Sequence, residues 1–338
     1  MSSSLVSICI PTFNGEKHLV ECLDSALAQT YSDIEIIITD DCSTDYTNEI
    51  AEKYRDRDMR IKYFVNEKNL GLVGNWNRCM QLASGQWIKF LFQDDVLNSR
   101  CVNSMMKTAD ENVDFIVCDR NFIFDDDIAE EFRRGYSKLT GMLQRFLGNT
   151  SPCFVEPKKI ARLVSKFVYA NFIGEPTATM FRKSIIMQWG NFNSGLVQIC
   201  DYEYWLRITS NVGMCYIPEA LASFRVHNKS ASADNRRTEL YQVDRIILLH
   251  IFLYDKWFEK MRGFLTAYQK RKMKEMFKLK IFETVRFIKQ NPHNNMIVEH
   301  YFNVRKELPR IIELEHSSIR AKLIYAAVKL RRKFRKKY

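Results

Sequence analysis

Two hydrophobic periods alternate over the first ~120 residues. Short, mostly apolar and β-branched runs, Val6 to Ile10, Ile34 to Thr39, Ile61 to Val65, Trp87 to Phe92 and Phe115 to Asp119, read as buried strands. Between them, Lys17 to Gln29 carries Leu19, Val20, Leu23, Ala26 and Leu27 at helical spacing, and Asp45 to Tyr54 and Gly74 to Ala83 read as two more helices. Strands separated by helices pair in parallel through right-handed crossovers, which predicts a doubly wound α/β sheet, Rossmann-like, with helices on both faces. Ligands of such sheets sit beyond the carboxyl ends of the strands. The chain meets that demand: the first strand is followed by Pro11-Thr12-Phe13-Asn14-Gly15, the second by Asp40-Asp41-Cys42-Ser43-Thr44-Asp45 and the fourth by Gln93-Asp94-Asp95.

Residues ~120 to 230 are less regular, and from about Thr238 the pattern is almost wholly helical. The pattern predicts an α/β domain over 1–232, with a ligand-binding half (1–120) and a second half (121–232), and a helical region over 233–338.

Four places carry candidate chemistry. Asp94 and Asp95 adjoin at the end of a buried strand, where two unpaired charges are costly; a divalent cation shared with a diphosphate resolves the repulsion, and a solvated helix-capping turn does so as well. Asp40 and Asp41 suit hydrogen bonds from a base or a ribose, while Ser43, Thr44 and Asp45 suit a helix cap. Asp201, set among Cys200, Tyr202, Tyr204 and Trp205, has surroundings able to desolvate a carboxylate into a general base, and also reads as a helix start. His227 closes Ser223-Phe224-Arg225-Val226-His227-Asn228-Lys229-Ser230, where Arg225 and Lys229 suit an anionic diphosphate.

Composition narrows the choice. Hydrophobic residues make up 46% and charged residues 27%, as in folded globular chains. No apolar run approaches the roughly 20 residues that span a bilayer, and Met1-Ser2-Ser3-Ser4 lacks the start of a signal peptide; a cytoplasmic protein is expected. The nine cysteines are dispersed without a C-x-x-C pair, which argues against zinc and for free thiols. Of the net charge of +11, nine Lys or Arg lie between Arg320 and Lys337, leaving +2 for the rest. Basicity confined to one end argues against nucleic-acid binding. In that tail Ile319, Leu323, Ile324, Ala327, Leu330 and Phe334 recur at helical spacing among basic residues, so 319–338 is expected to rest on an anionic membrane surface or to pack as a surface helix.

Taken in order, the segments "VSICIPTFN", "IIITDDCSTD", "NLGLVGNWNRCMQLASGQWIKFLFQDD", "FIGEPTATMFRKS", "CDYEYWLR" and "YIPEALASFRVHNKS" resemble family 2 of the inverting glycosyltransferases, over about residues 5 to 230. The resemblance implies a GT-A fold, a nucleotide-sugar donor such as a UDP-sugar, a Mn²⁺ or Mg²⁺ cofactor and a saccharide or lipid-linked acceptor, as in bacterial O-antigen or capsule synthesis. It implies donor contacts from Pro11, Thr12, Asn14, Asp40, Asp41, Asn69, Asn77 and Asp94, metal contacts from Asp95 and His227, acceptor contacts from Glu175 and Trp205, and Asp201 as catalytic base. Many members carry an acid where this chain has Phe92, which leaves fewer metal ligands. The rival readings are a nucleotide-sugar-binding protein without turnover and a nucleotidyltransferase; the latter requires a glycine-rich basic loop that "PTFNGEKH" does not supply.

Overall fold

The structure is a computed structural model and describes residues 4–316. It forms two compact units: one of residues 1–160, 170–195 and 200–230, the other of 161–169, 196–199 and 231–338, each without its undescribed end.

The first unit is built on a nine-stranded sheet. Strands β1 (Val6–Thr12), β2 (Ile34–Asp40), β3 (Ile61–Val65) and β4 (Trp87–Phe90) alternate with helices α1 (Leu19–Leu27), α2 (Thr47–Arg55) and α3 (Gly71–Leu82). They pair in parallel in the order β3-β2-β1-β4. All residues of β1, β2 and β4 are buried, the condition of strands covered on both faces. Pro11 does not end β1; it pairs with Thr39, and β1 runs on to Thr12. β4 stops at Phe90, two residues short of the expected end, which releases Phe92 to pack its ring 4.7 Å from Trp76.

Beyond β4 the sheet becomes mixed. Strands β5 (Val96–Leu97), β6 (Phe115–Phe124), β7 (Cys153–Val155), β8 (Thr179–Arg182) and β9 (Met214–Val226) alternate with helices α4 (Cys101–Met106), α5 (Glu130–Ser137), α6 (Met142–Leu147), α7 (Pro157–Lys166), α8 (Ser184–Trp189) and α9 (Cys200–Val212). β8 enters antiparallel between β4 and β6, and β9 then lies parallel to β6. The β6–β9 ladder shifts register on both sides of Asp119, opposite the stretch of β9 that holds Pro218. Proline has no N–H to give a ladder, and such bulges re-aim neighbouring side chains.

The second unit is helical: α10 (Ala231–Thr238), α11 (Tyr241–Tyr254), α12 (Glu259–Phe264), α13 (Ala267–Gln290), α14 (Asn295–Glu307) and α15 (Arg310–His316). α11 supplies its centre through Val243, Ile246, Leu248, Leu249 and Phe252, all fully buried. Thr266 and Gln269 cap α13 reciprocally. Asp244, also fully buried, accepts the backbone N–H groups of Val197, Gln198 and Ile199. No helix among the described residues is long and apolar enough to cross a membrane. The basic segment 319–338 lies outside the described residues.

Candidate active site

Strand direction decides which residues meet. β1, β2, β4, β6 and β9 all point the same way and β8 points against them. Their carboxyl ends and the amino end of β8 therefore share one edge. The polar segments after β1, β2 and β4 lie there, together with Glu175 to Thr177 before β8 and His227 after β9.

The loops after β1 and β2 are bound into one scaffold. Asn14, at φ 48°, accepts the Thr44 N–H (2.9 Å) through its side chain, and its own N–H donates to Ser43 Oγ (2.9 Å). Gln93 makes a two-pronged amide contact with the N–H and C=O of Phe13 (2.9 and 3.0 Å). Gly15 makes room for it, since a Cβ there would stand 2.2 Å from Gln93 Oε1. Asp41 Oδ1 accepts from Asn66 Nδ2 (2.8 Å) and from the Leu70 N–H (2.7 Å) at the start of α3, while Asn69 Nδ2 donates to the Asp41 carbonyl (3.0 Å). Asn75 donates to the carbonyls of Thr12 and Thr39 (3.2 and 2.9 Å) and accepts from Asn66 (3.0 Å).

Several expected donor contacts are instead internal supports. Pro11, Thr12 and Asp40 are buried; Thr12 Oγ1 donates to Asp40 (3.1 Å), which also accepts the N–H and hydroxyl of Ser43. These groups shape the loops from behind. Asn77 uses both ends of its amide on the backbone of Phe192 (3.0 and 3.1 Å) and so ties α3 to the segment after α8. Asn66 and Asn75 were not anticipated, because an asparagine in an amphipathic helix or after a strand carries no signal of its target.

At the end of β4 the two adjacent carboxylates part company. Asp95, expected to bind metal, is completely buried, with one oxygen accepting from Thr177 Oγ1 and the other from the Arg225 N–H (2.8 Å). Burial and the neighbouring Asp94 push its carboxyl well above the usual range. It closes the join between β4, β8 and β9, and each of its oxygens is engaged there by a donor of the protein. Asp94 is the carboxylate that meets His227, whose Nε2 lies 2.9 Å from Asp94 Oδ2. Arg225, expected to face a diphosphate, donates to the Asp94 carbonyl (2.9 Å) and pairs with Glu21 and Asp125, so its charge is used within the protein. His18, whose ring centre is 5.3 Å from that of His227, was also missed; burial, then the nearby Arg225, holds it below the ordinary imidazole value. Among the described residues no three His, Cys, Asp or Glu are grouped to hold a metal. Asp94 and His227 do fit half of a site, since Mg²⁺ and Mn²⁺ are commonly held by one or two protein ligands together with substrate phosphates.

Asp201 stands in the first turn of α9. Its Oδ1 accepts the Tyr202 N–H (2.6 Å) and its Oδ2 accepts from Asn171 Nδ2 (3.1 Å). Burial raises its pKa to about 7; the Tyr202 N–H opposes that rise, the charge of Glu175 adds to it and Arg120 opposes it. A carboxylate near neutrality suits a group that takes a proton and returns it. Glu175, expected to contact the acceptor, is 17% exposed and forms an ion pair with the buried Arg120. Trp205, expected beside it, is fully buried against Phe115, Phe181 and Phe192, at 5.2 to 5.7 Å between ring centres, and belongs to the core. Trp205 lies one turn from Asp201, but α9 is buried on all its faces from Tyr202 to Ser210, and the ring is enclosed there.

Comparison with known proteins gives the family. Residues 7–189 match the family described as Glycosyl transferase family 2, and the chain belongs to that family. It is 30% identical over 237 residues to the uncharacterized protein MT1568 of Mycobacterium tuberculosis, a match covering 69% of this chain and 70% of that one. It is 40% identical over 115 residues to the uncharacterized glycosyltransferase EpsJ of Bacillus subtilis, over 34% of this chain and 33% of EpsJ. Among solved structures, S. aureus TarS 1-349 in complex with UDP-GlcNAc aligns with a TM-score of 0.61 at 18% identity, covering 97% of this chain and 88% of that chain. That likeness is one of fold: a GT-A α/β sheet flanked by helices, with a helical C-terminal region.

Proposed function

We propose that the chain is an inverting glycosyltransferase that moves a sugar from a nucleotide diphosphate, a UDP-sugar, to a hydroxyl of a saccharide acceptor, with Asp201 as its base. What carries this reading is the half-buried carboxyl of Asp201, bonded by Asn171 and raised toward neutrality, on the same sheet edge as the Asp94–His227 pair. The acceptor oxygen forms its bond to the anomeric carbon as the bond to the diphosphate oxygen breaks, and Asp201 takes the hydroxyl proton. The bonding pair leaves on the diphosphate. A single displacement inverts the anomeric centre.

Asp94 and His227 would hold Mn²⁺ or Mg²⁺ in company with the donor's diphosphate, and the ion would offset charge developing on the leaving group. The scaffold around Asp41, Asn66 and Asn75 shapes the wall against which the base and ribose rest. Preorganised polar walls of this kind stabilise charge without reorganising during reaction. A lipid-linked acceptor in surface-polysaccharide synthesis is the pathway class we favour, with 319–338 reaching an anionic membrane face.

A panel of nucleotide sugars, scored for thermal stabilisation and slow hydrolysis with and without Mn²⁺, tests the reading. Stabilisation by one UDP-sugar that depends on metal and disappears in Asp94→Ala supports it. A folded protein that answers to no nucleotide sugar overturns it.

A further inference from the structure

Arg120 is a buried cation that the reading above leaves without a task. It is 2% exposed and lies in β6 directly after the register shift at Asp119, where the bulge turns it from the regular ladder. Its guanidinium pairs with Glu175. Beyond that pair, Nε and Nη2 form no hydrogen bond among the described residues, and neither does Glu175 Oε2. Gly174 admits the guanidinium: its φ is +126°, and a Cβ there would stand 3.2 Å from Arg120 Cζ and Nη1. The same loop reaches Asp201 through Asn171, whose side chain bonds to the N–H and C=O of Gly174 (2.9 and 3.1 Å) and to Asp201 Oδ2 (3.1 Å).

This is a poor arrangement for stability. A guanidinium has five donors, and a buried ion pair about breaks even against apolar packing of the same volume. As an arrangement for chemistry it is coherent. Two half-buried carboxylates, Glu175 and Asp201, share the cleft, where the charge of Glu175 raises the Asp201 pKa and that of Arg120 lowers it. The cation paired with Glu175 fixes that carboxylate beside Asp201.

We propose that Arg120 is a positioning residue for transfer: its ion pair holds the Glu175 carboxylate in place, so that Glu175 accepts a hydrogen bond from one acceptor hydroxyl while Asp201 takes the proton of its neighbour. The acceptor class is then one with two adjacent hydroxyls, a polyol or a pyranoside. The proposal rests on Asp201 being the base. Asp201 is faced by Glu175 from the loop before β8, by Arg120 from β6 and by the Tyr202 phenol on its own helix, which burial keeps neutral.

The test needs no substrate. The full chain, labelled with ¹³C at aspartate carboxyls, is titrated by NMR, and Asp201→Asn identifies the resonance. Arg120→Met moves the Asp201 midpoint up by about one pH unit or more, Arg120→Lys moves it less, and Glu175→Gln moves it down. In transfer assays the acid limb of the rate profile moves in the same order, with the donor KM unchanged. A midpoint that stays fixed in both Arg120→Met and Glu175→Gln overturns the proposal. Should Arg120→Met fail to fold by circular dichroism, Glu175→Gln decides alone. Fixed midpoints with an inactive Asp201→Asn condemn the Arg120 proposal and spare the base. Midpoints that move while Asp201→Asn still transfers condemn the base assignment, and the division of labour with it.

Discussion

The loops after β1 and β2 and the cleft around Asp201 both gather carboxylates, fully buried in the first and half-buried in the second, and they treat them in opposite ways. Asp40 and Asp41 are surrounded by donors: two from Ser43 and one from Thr12 for the first, Asn66 and the Leu70 N–H for the second. In the cleft, Asp201 accepts the Tyr202 N–H and the Asn171 amide, and Glu175 pairs with Arg120. A carboxylate rich in donors is fixed in shape. Burial holds Asp201 near the point where its proton changes hands. The first arrangement builds a wall for a ligand, and the second performs chemistry.

The sharpest break in this contrast is Asp201→Asn. Transfer should fall about 10²–10⁴-fold, the span of general-base catalysis, while stabilisation by the nucleotide sugar persists. Measurable transfer at the wild-type rate would remove Asp201 from the mechanism. Next in size is Asp94→Ala, expected to lower turnover about 10²-fold and to abolish metal-dependent donor stabilisation. Asp95→Asn should instead lower the melting temperature and leave the response to metal intact, which separates the two neighbours. Asp41→Ala probes the wall. It takes one of two acceptors from Asn66 Nδ2, which keeps Asn75, and the acceptor of the part-buried Leu70 N–H, so urea unfolding should register a loss of ~1 kcal/mol.

The smallest effect concerns pH. The folded pKa of Asp201, about 7, lies above the ordinary carboxylate value. The fold therefore favours its neutral form, and that contribution to stability is full at acid pH and is lost as the pH rises through about 7. Asp201→Asn cannot ionise. Its melting temperature should exceed that of the wild type by ~2–4 °C at pH 8, and the gap should narrow as the pH falls below about 7 and close near the ordinary carboxylate value of 3.8. A gap that stays constant with pH would mean that the residue is not held neutral by the fold.

Much of this was legible before any coordinates. The alternation of apolar runs and helical spacing over the first ~120 residues required a parallel sheet, and such a sheet gathers its polar loops on one edge. Asn14, Asp41, Asp94, Asp201, Glu175 and His227 were legible as polar residues at strand or helix ends, or through their match to a family pattern. Which of two adjacent aspartates faces outward was not, because Asp94 and Asp95 differ only by one step of backbone. The arrival of Thr177 and Arg225 from ~80 and ~130 residues away turned Asp95 inward. Trp205 likewise read as a site aromatic until Phe115, Phe181 and Phe192 closed around it.

Local sequence by itself determined where strands and helices form and on which edge polar chemistry collects, because periodicity and turn residues act over a few positions. Only the tertiary structure decided the state of each buried charge. The energy of a carboxylate in a dry interior depends on which donors reach it, and for Asp41, Asp95 and Asp201 most of those donors come from distant segments: Asn66 and Leu70, Thr177 and Arg225, and Asn171.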